Sequence, residues 1–77
     1  MNEGEEHILQ ERIRIAELVA KFRKEKGLST YQLAELTGLR QPHISRLEKG
    51  KMNMSIDTLN KIAAALGVTV EFLEKSN

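Results

Sequence analysis

The chain has 77 residues, an apolar fraction of 40%, no cysteine and a formal net charge of +1, which suits one small core that buries roughly 60% of the unfolded surface. This excludes a second full-sized domain, disulfide staples and thiolate metal sites, so helix packing, reinforced by self-association, has to hold the fold. No apolar run approaches the roughly 20 residues that cross a bilayer, and a start rich in acids (Glu3, Glu5, Glu6) is the opposite of a secretory or transit leader, so a cytoplasmic protein is expected.

Taken in order, the segments read as an all-α fold of five helices at about 5–26, 30–37, 41–49, 56–66 and 70–75. Residues 1–12 form an N-terminal helical extension and residues 13–77 the domain proper. Four helix starts carry a hydrophobic staple, an apolar residue just before the cap and another four positions after it: Leu28 with Leu33 around Ser29, Leu39 with Ile44 around Arg40, Met54 with Leu59 around Ser55, and Val68 with Leu73 around Thr69. Ser29 with Gln32 completes a capping box. Gly27, Gly38, Gly50 and Gly67 stand where the preceding helices stop. Helical spacing assigns the core to Ile15, Val19 and Phe22, then Leu33, Ala34 and Leu36, then Ile44 and Leu47, then Leu59, Ile62, Ala63 and Leu66, and finally Phe72 and Leu73.

The segment Gly27–Gly50 thus holds two short helices around the turn Thr37-Gly38-Leu39, the layout of a helix-turn-helix. At 100° per residue, Ile44, Leu47 and Glu48 share one side of the second helix, while Pro42, Ser45, Arg46 and Lys49 face away, with Gln41 and His43 at the margins. Such an outer face has the size and chemistry for a DNA major groove. Gln41 suits the N6 and N7 edge of adenine and Arg46 suits guanine O6 and N7. The bland reading of Arg46 alone is a solvated helix face; the turn, the capped helix before it and Lys49-Gly50-Lys51 after it favour the functional one. His43 is read as a base contact, with a phosphate contact or a space-filling role as the alternatives, and His7 reads as plain surface. The start of the 30–37 helix offers free N–H groups to an anion, with Thr30 adding a hydroxyl; Ser45, Lys49, Lys51 and Asn53 extend the same phosphate cradle. Charge is uneven in the required way: Lys21, Arg23, Lys24 and Lys26 form one basic cluster and Arg40, Arg46, Lys49 and Lys51 another, while acids crowd the N-terminus.

The residues Arg23, Gly27-Leu28-Ser29, Leu33-Ala34, Gly38, Ile44-Ser45-Arg46-Leu47-Glu48-Lys49-Gly50 and Leu59-Lys61-Ile62-Ala63-Ala65-Leu66-Gly67-Val68 resemble the Cro/lambda-repressor (Xre) family of helix-turn-helix DNA-binding domains over about Val19 to Leu73. The resemblance implies the five-helix lambda-repressor-like fold, with base contacts from Arg40, Gln41, Pro42, His43 and Arg46. It also implies a structural ion pair, Arg23 with Glu48, tying the first helix to the end of the third. Two departures stand out: Arg40 replaces the serine or threonine cap usual at the third helix, and the first helix is longer than is common.

Related proteins bind two-fold sites as dimers, and the candidate dimer surface here is Ile8, Leu9 and Ile13 on the extension with Val68, Val70 and Phe72 near the C-terminus. The function expected is a sequence-specific DNA-binding transcriptional regulator, a repressor, acting as a homodimer without a cofactor. The alternative is an antitoxin that holds a toxin partner and autoregulates its operon. An enzyme is disfavoured, since the sequence has no cysteine nucleophile, no metal-ligand spacing, no phosphate loop and no base beside Ser45.

Overall fold

Four α-helices carry the chain: α1 (Glu3–Glu25), α2 (Thr30–Thr37), α3 (Gln41–Glu48) and α4 (Ile56–Leu66), in a computed structural model that describes residues 2–75. Among the described residues there is no strand. Three of the four starts carry a side-chain cap. The Asn2 side chain accepts from the Glu5 amide at 2.8 Å, and Glu3, Glu5 and Glu6 sit in the first turn of α1, where the helix dipole favours negative charge. Ser29 Oγ accepts from the Gln32 amide at 3.0 Å while Gln32 Oε1 accepts from the Ser29 amide at 2.7 Å, which completes the capping box of α2. Ser55 caps α4 through the Thr58 amide at 3.1 Å. Arg40 occupies the cap position of α3 without a side-chain cap bond.

The helix-turn-helix corner is fixed by Thr37 and Gly38. Thr37 Oγ1 donates to the Leu33 carbonyl at 2.8 Å and accepts from the Leu39 amide at 3.3 Å, so one hydroxyl joins the last turn of α2 to the chain leaving it. Gly38 takes φ +74°, the left-handed conformation that costs glycine no steric penalty. The chain can therefore reverse within the three residues between α2 and α3.

Val19, Leu33, Ala34, Ile44, Leu47, Ile62 and Leu66 form the buried cluster, with Ile15, Phe22, Leu28, Leu39, Met52, Met54, Ala65 and Val68 packed against it. Helix α2 packs on α3 and α4, and α1 packs on α3 and α4. The predicted core residues Leu33, Ile44, Leu47 and Ile62 are the largest fully buried side chains. The small Ala16 is also buried; periodicity passed over it because alanine adds little to an apolar stripe.

Three expectations need correction. The segment 70–75 is not helical, so the described residues hold four helices, not five. Phe72 and Leu73, assigned to the core, are 101% and 82% exposed. Six residues that open on β-branched Val70, directly after Val68 and Thr69, cannot sustain a helix unless their apolar side is covered, and no staple forms between Val68 and Leu73, because Val68 packs inward while Leu73 stays in solvent. Leu36, also assigned to the core, is 59% exposed: in an eight-residue helix the stripe through Leu33, Ala34 and Thr37 already faces the body, and Leu36 falls beyond its edge.

Candidate nucleic-acid interface

The pedestal of the site is Arg23. Its Nε donates to Glu48 Oε2 at 2.6 Å and its Nη2 to Glu48 Oε1 at 2.8 Å, while Nη1 donates to the Leu28 carbonyl at 2.8 Å. One planar guanidinium thus binds the end of α3 and the residue that staples α2. The two side chains are only 12% and 9% exposed, where a charge needs its partner. The pairing with Glu48 holds the Arg23 guanidinium above its ordinary value, against the opposing effect of burial, so it stays charged at any working pH.

That pairing has a consequence for α3. Glu48 is the only acid on the helix and it is turned inward, so the charged side chains of its outer surface are basic. Arg40, Pro42 and Arg46 are exposed and Gln41, His43 and Ser45 are half-buried. Ile44 and Leu47 are 0% and 1% exposed, which fixes the rotation of α3 about its axis. Pro42 sits in the first turn, where a missing N–H has no intrahelical partner to lose.

Gln41 lies on one flank of this surface, its Nε2 donating to Thr30 Oγ1 at 3.1 Å. The first residues of α2 and α3 are thereby bonded to each other. One amide hydrogen is used, and the other hydrogen with the amide oxygen remains, the donor and acceptor pair that matches an adenine edge. The sequence does not advertise this bond, although the two residues both open their helices and stand 11 positions apart. At the start of α2 the capping box takes the Ser29 and Gln32 amides; the Thr30 and Tyr31 N–H groups between them have no intrahelical acceptor, and the first turn holds no acid.

His43 lies on the other flank. There Arg40, Pro42, His43, Arg46 and Met52 line an open hollow. Met52 was absent from every sequence-based assignment, since a lone methionine in a loop carries no periodic signal. The end of α3 is held by two backbone bonds, from the Gly50 amide to the Leu47 carbonyl at 3.0 Å and from the Lys51 amide to the Arg46 carbonyl at 3.1 Å, a Schellman arrangement. It sets Lys49 and Lys51, both exposed, at the C-terminal end of the outer surface. Asn53 is exposed but opens onto a different groove, between α1 and α4, with Ile8, Ile15, Met54 and Leu59.

The six residues considered for self-association differ in exposure. Ile8, Val70 and Phe72 are exposed at 61%, 47% and 101%, and Leu9 is half-buried. Ile13 and Val68 have partners in the same chain: Val68 packs on the core, and Ile13 lies so close to Gly50 that a Cβ there would meet Ile13 Cγ1 at 3.2 Å. No helix is long and apolar enough to cross a membrane among the described residues.

Comparison with known proteins agrees with this fold. A helix-turn-helix family model matches residues 19–73. An uncharacterized HTH-type transcriptional regulator of Haemophilus influenzae is 40% identical over 73 residues, covering 91% of this chain and 74% of that protein. The HTH-type transcriptional regulator SinR of Bacillus subtilis is 38% identical over 60 residues, covering 77% of this chain and 54% of its own length, so the chain spans about half of that relative. The crystal structure of the restriction-modification controller protein C.AhdI from Aeromonas hydrophila superposes with a TM-score of 0.76 at 30% identity, covering 79% of this chain and 88% of that one. The chain therefore belongs to the helix-turn-helix family of lambda-repressor-like DNA-binding transcriptional regulators.

Proposed function

We propose that the protein is a sequence-specific repressor that inserts α3 into the major groove of double-stranded DNA and regulates by occupying its site, without chemistry of its own. The observation that carries this is the outer surface of α3: its one acid is bound by Arg23, and what remains outside is Arg40, Gln41, Pro42, His43, Ser45, Arg46 and Lys49. Arg40, Gln41, Pro42, His43 and Arg46 meet base edges, while Thr30 with the first N–H groups of α2, Ser45, Lys49 and Lys51 meet phosphates on either side. Asn53, which opens onto the groove between α1 and α4, is left out of this phosphate set. The Arg23–Glu48 pair sets the angle at which α3 is presented.

Two copies act together on half-sites about 34 Å apart. Exposed Ile8, Val70 and Phe72 supply the apolar contact, and residues 1–12 serve as an extension added to the DNA-binding domain of residues 13–77. The decisive experiment is a fluorescence anisotropy titration with duplex DNA at several salt concentrations. Affinity falls steeply as salt rises because each neutralised phosphate releases counterions; binding indifferent to salt, or no preference among sequences, rejects the proposal.

A further inference from the structure

We infer that the hollow formed by Arg40, Pro42, His43, Arg46 and Met52 is a seat for the C5 methyl group of a thymine, which makes Met52 a specificity-determining residue outside the recognition helix. The inference rests on α3 being the groove-reading element. Its own ground is the composition of the hollow: two guanidinium groups and an imidazole line it together with proline and methionine, and there is no acid among the five. Among the groups that the four bases display in the major groove, the thymine methyl is the one apolar patch, and it stands beside the O4 acceptor. Donors beside apolar side chains match that pair. Cytosine at the same place offers an N4 amino donor in place of O4 and has no methyl, so it meets the guanidinium groups donor to donor.

Both apolar side chains are anchored in the fold. Met52 is half-buried and packed against the core cluster, and the Pro42 ring lies in the first turn of α3. Neither surface has to be gathered when DNA arrives. On the opposite flank, Gln41 is tied to Thr30, so hydrogen-bonded readout and methyl readout occupy the two margins of one helix.

The test begins by selecting bound duplexes from a random library with the full chain. Each thymine of the enriched site is then replaced by deoxyuridine, which removes the methyl alone. At one thymine per half-site the replacement weakens binding about fourfold, equivalent to the ~0.8 kcal/mol of one buried apolar carbon, and in M52A and P42A protein that penalty disappears. Pro42 is exposed, so P42A keeps the comparison available if circular dichroism shows M52A to be unfolded. Enriched sites that tolerate uracil at every thymine overturn the seat while leaving DNA recognition standing. A uracil penalty undiminished in the folded variants overturns it equally. A library that yields no enriched sequence overturns the DNA reading and the seat together.

Discussion

Truncating Arg23 to alanine strands the Glu48 carboxylate at 9% exposure, and it also removes the donor to the Leu28 carbonyl. R23A and E48A each cost about 2–4 kcal/mol in urea unfolding, and the double variant costs clearly less than their sum, because only the single changes leave a charge without its partner. An additive cycle rejects the coupling. Thr30 acts more locally. T30V keeps the shape of the side chain but removes the oxygen that Gln41 donates to, so stability changes by about 1 kcal/mol or less. Discrimination at the base pair read by Gln41 falls within the range of about 1–3 kcal/mol that a bidentate contact supplies, measured by competition between matched and mismatched duplexes. Arg40 presents the opposite trade. R40S supplies the cap that α3 lacks and raises stability by about 0.5–1 kcal/mol, while DNA affinity drops through loss of a cation beside the groove.

At the scale of elements, three of the four staples anticipated in the sequence frame helices that form where expected, around Ser29, Arg40 and Ser55. These starts were legible because cap, staple and following glycine lie within a dozen residues of one another and act locally. The fourth, around Thr69, has the same letters and no helix. A staple records that Val68 and Leu73 could meet; whether they do depends on a surface to cover six residues, and that information lies outside the segment. The same limit hid the bond between Gln41 and Thr30, the Leu28 arm of Arg23 and the place of Met52, each of which joins residues from different elements or a loop. The glycine stops can be ranked by their surroundings. A Cβ at Gly38 meets nothing within 4 Å, whereas at Gly50, itself at φ +70°, it meets Ile13 Cγ1 at 3.2 Å. G38A therefore costs about 1–2 kcal/mol, the left-handed penalty alone, and G50A costs more because α1 and the end of α3 must also separate. Thermal unfolding of the two variants side by side checks the order, and equal losses would show that Ile13 gives way freely.

For the molecule as a whole, large apolar side chains are exposed on every helix except α3 and on the segment after α4, where Phe72 and Leu73 are the most exposed of all. Sedimentation equilibrium should show self-association that F72A weakens, with the folded monomer intact because Phe72 touches no core residue; a chain that remains monomeric at high concentration, with and without DNA, removes the proposed homodimer. The element that would read DNA and the one before it have eight residues each, well under the roughly 12–15 at which a helix begins to persist alone in water. Cut free as a peptide, residues 27–50 would keep every letter of the message and lose the handwriting, for no turn of either rod survives without the hydrophobic bed beneath it. A short mimic of this regulator must bring its own scaffold.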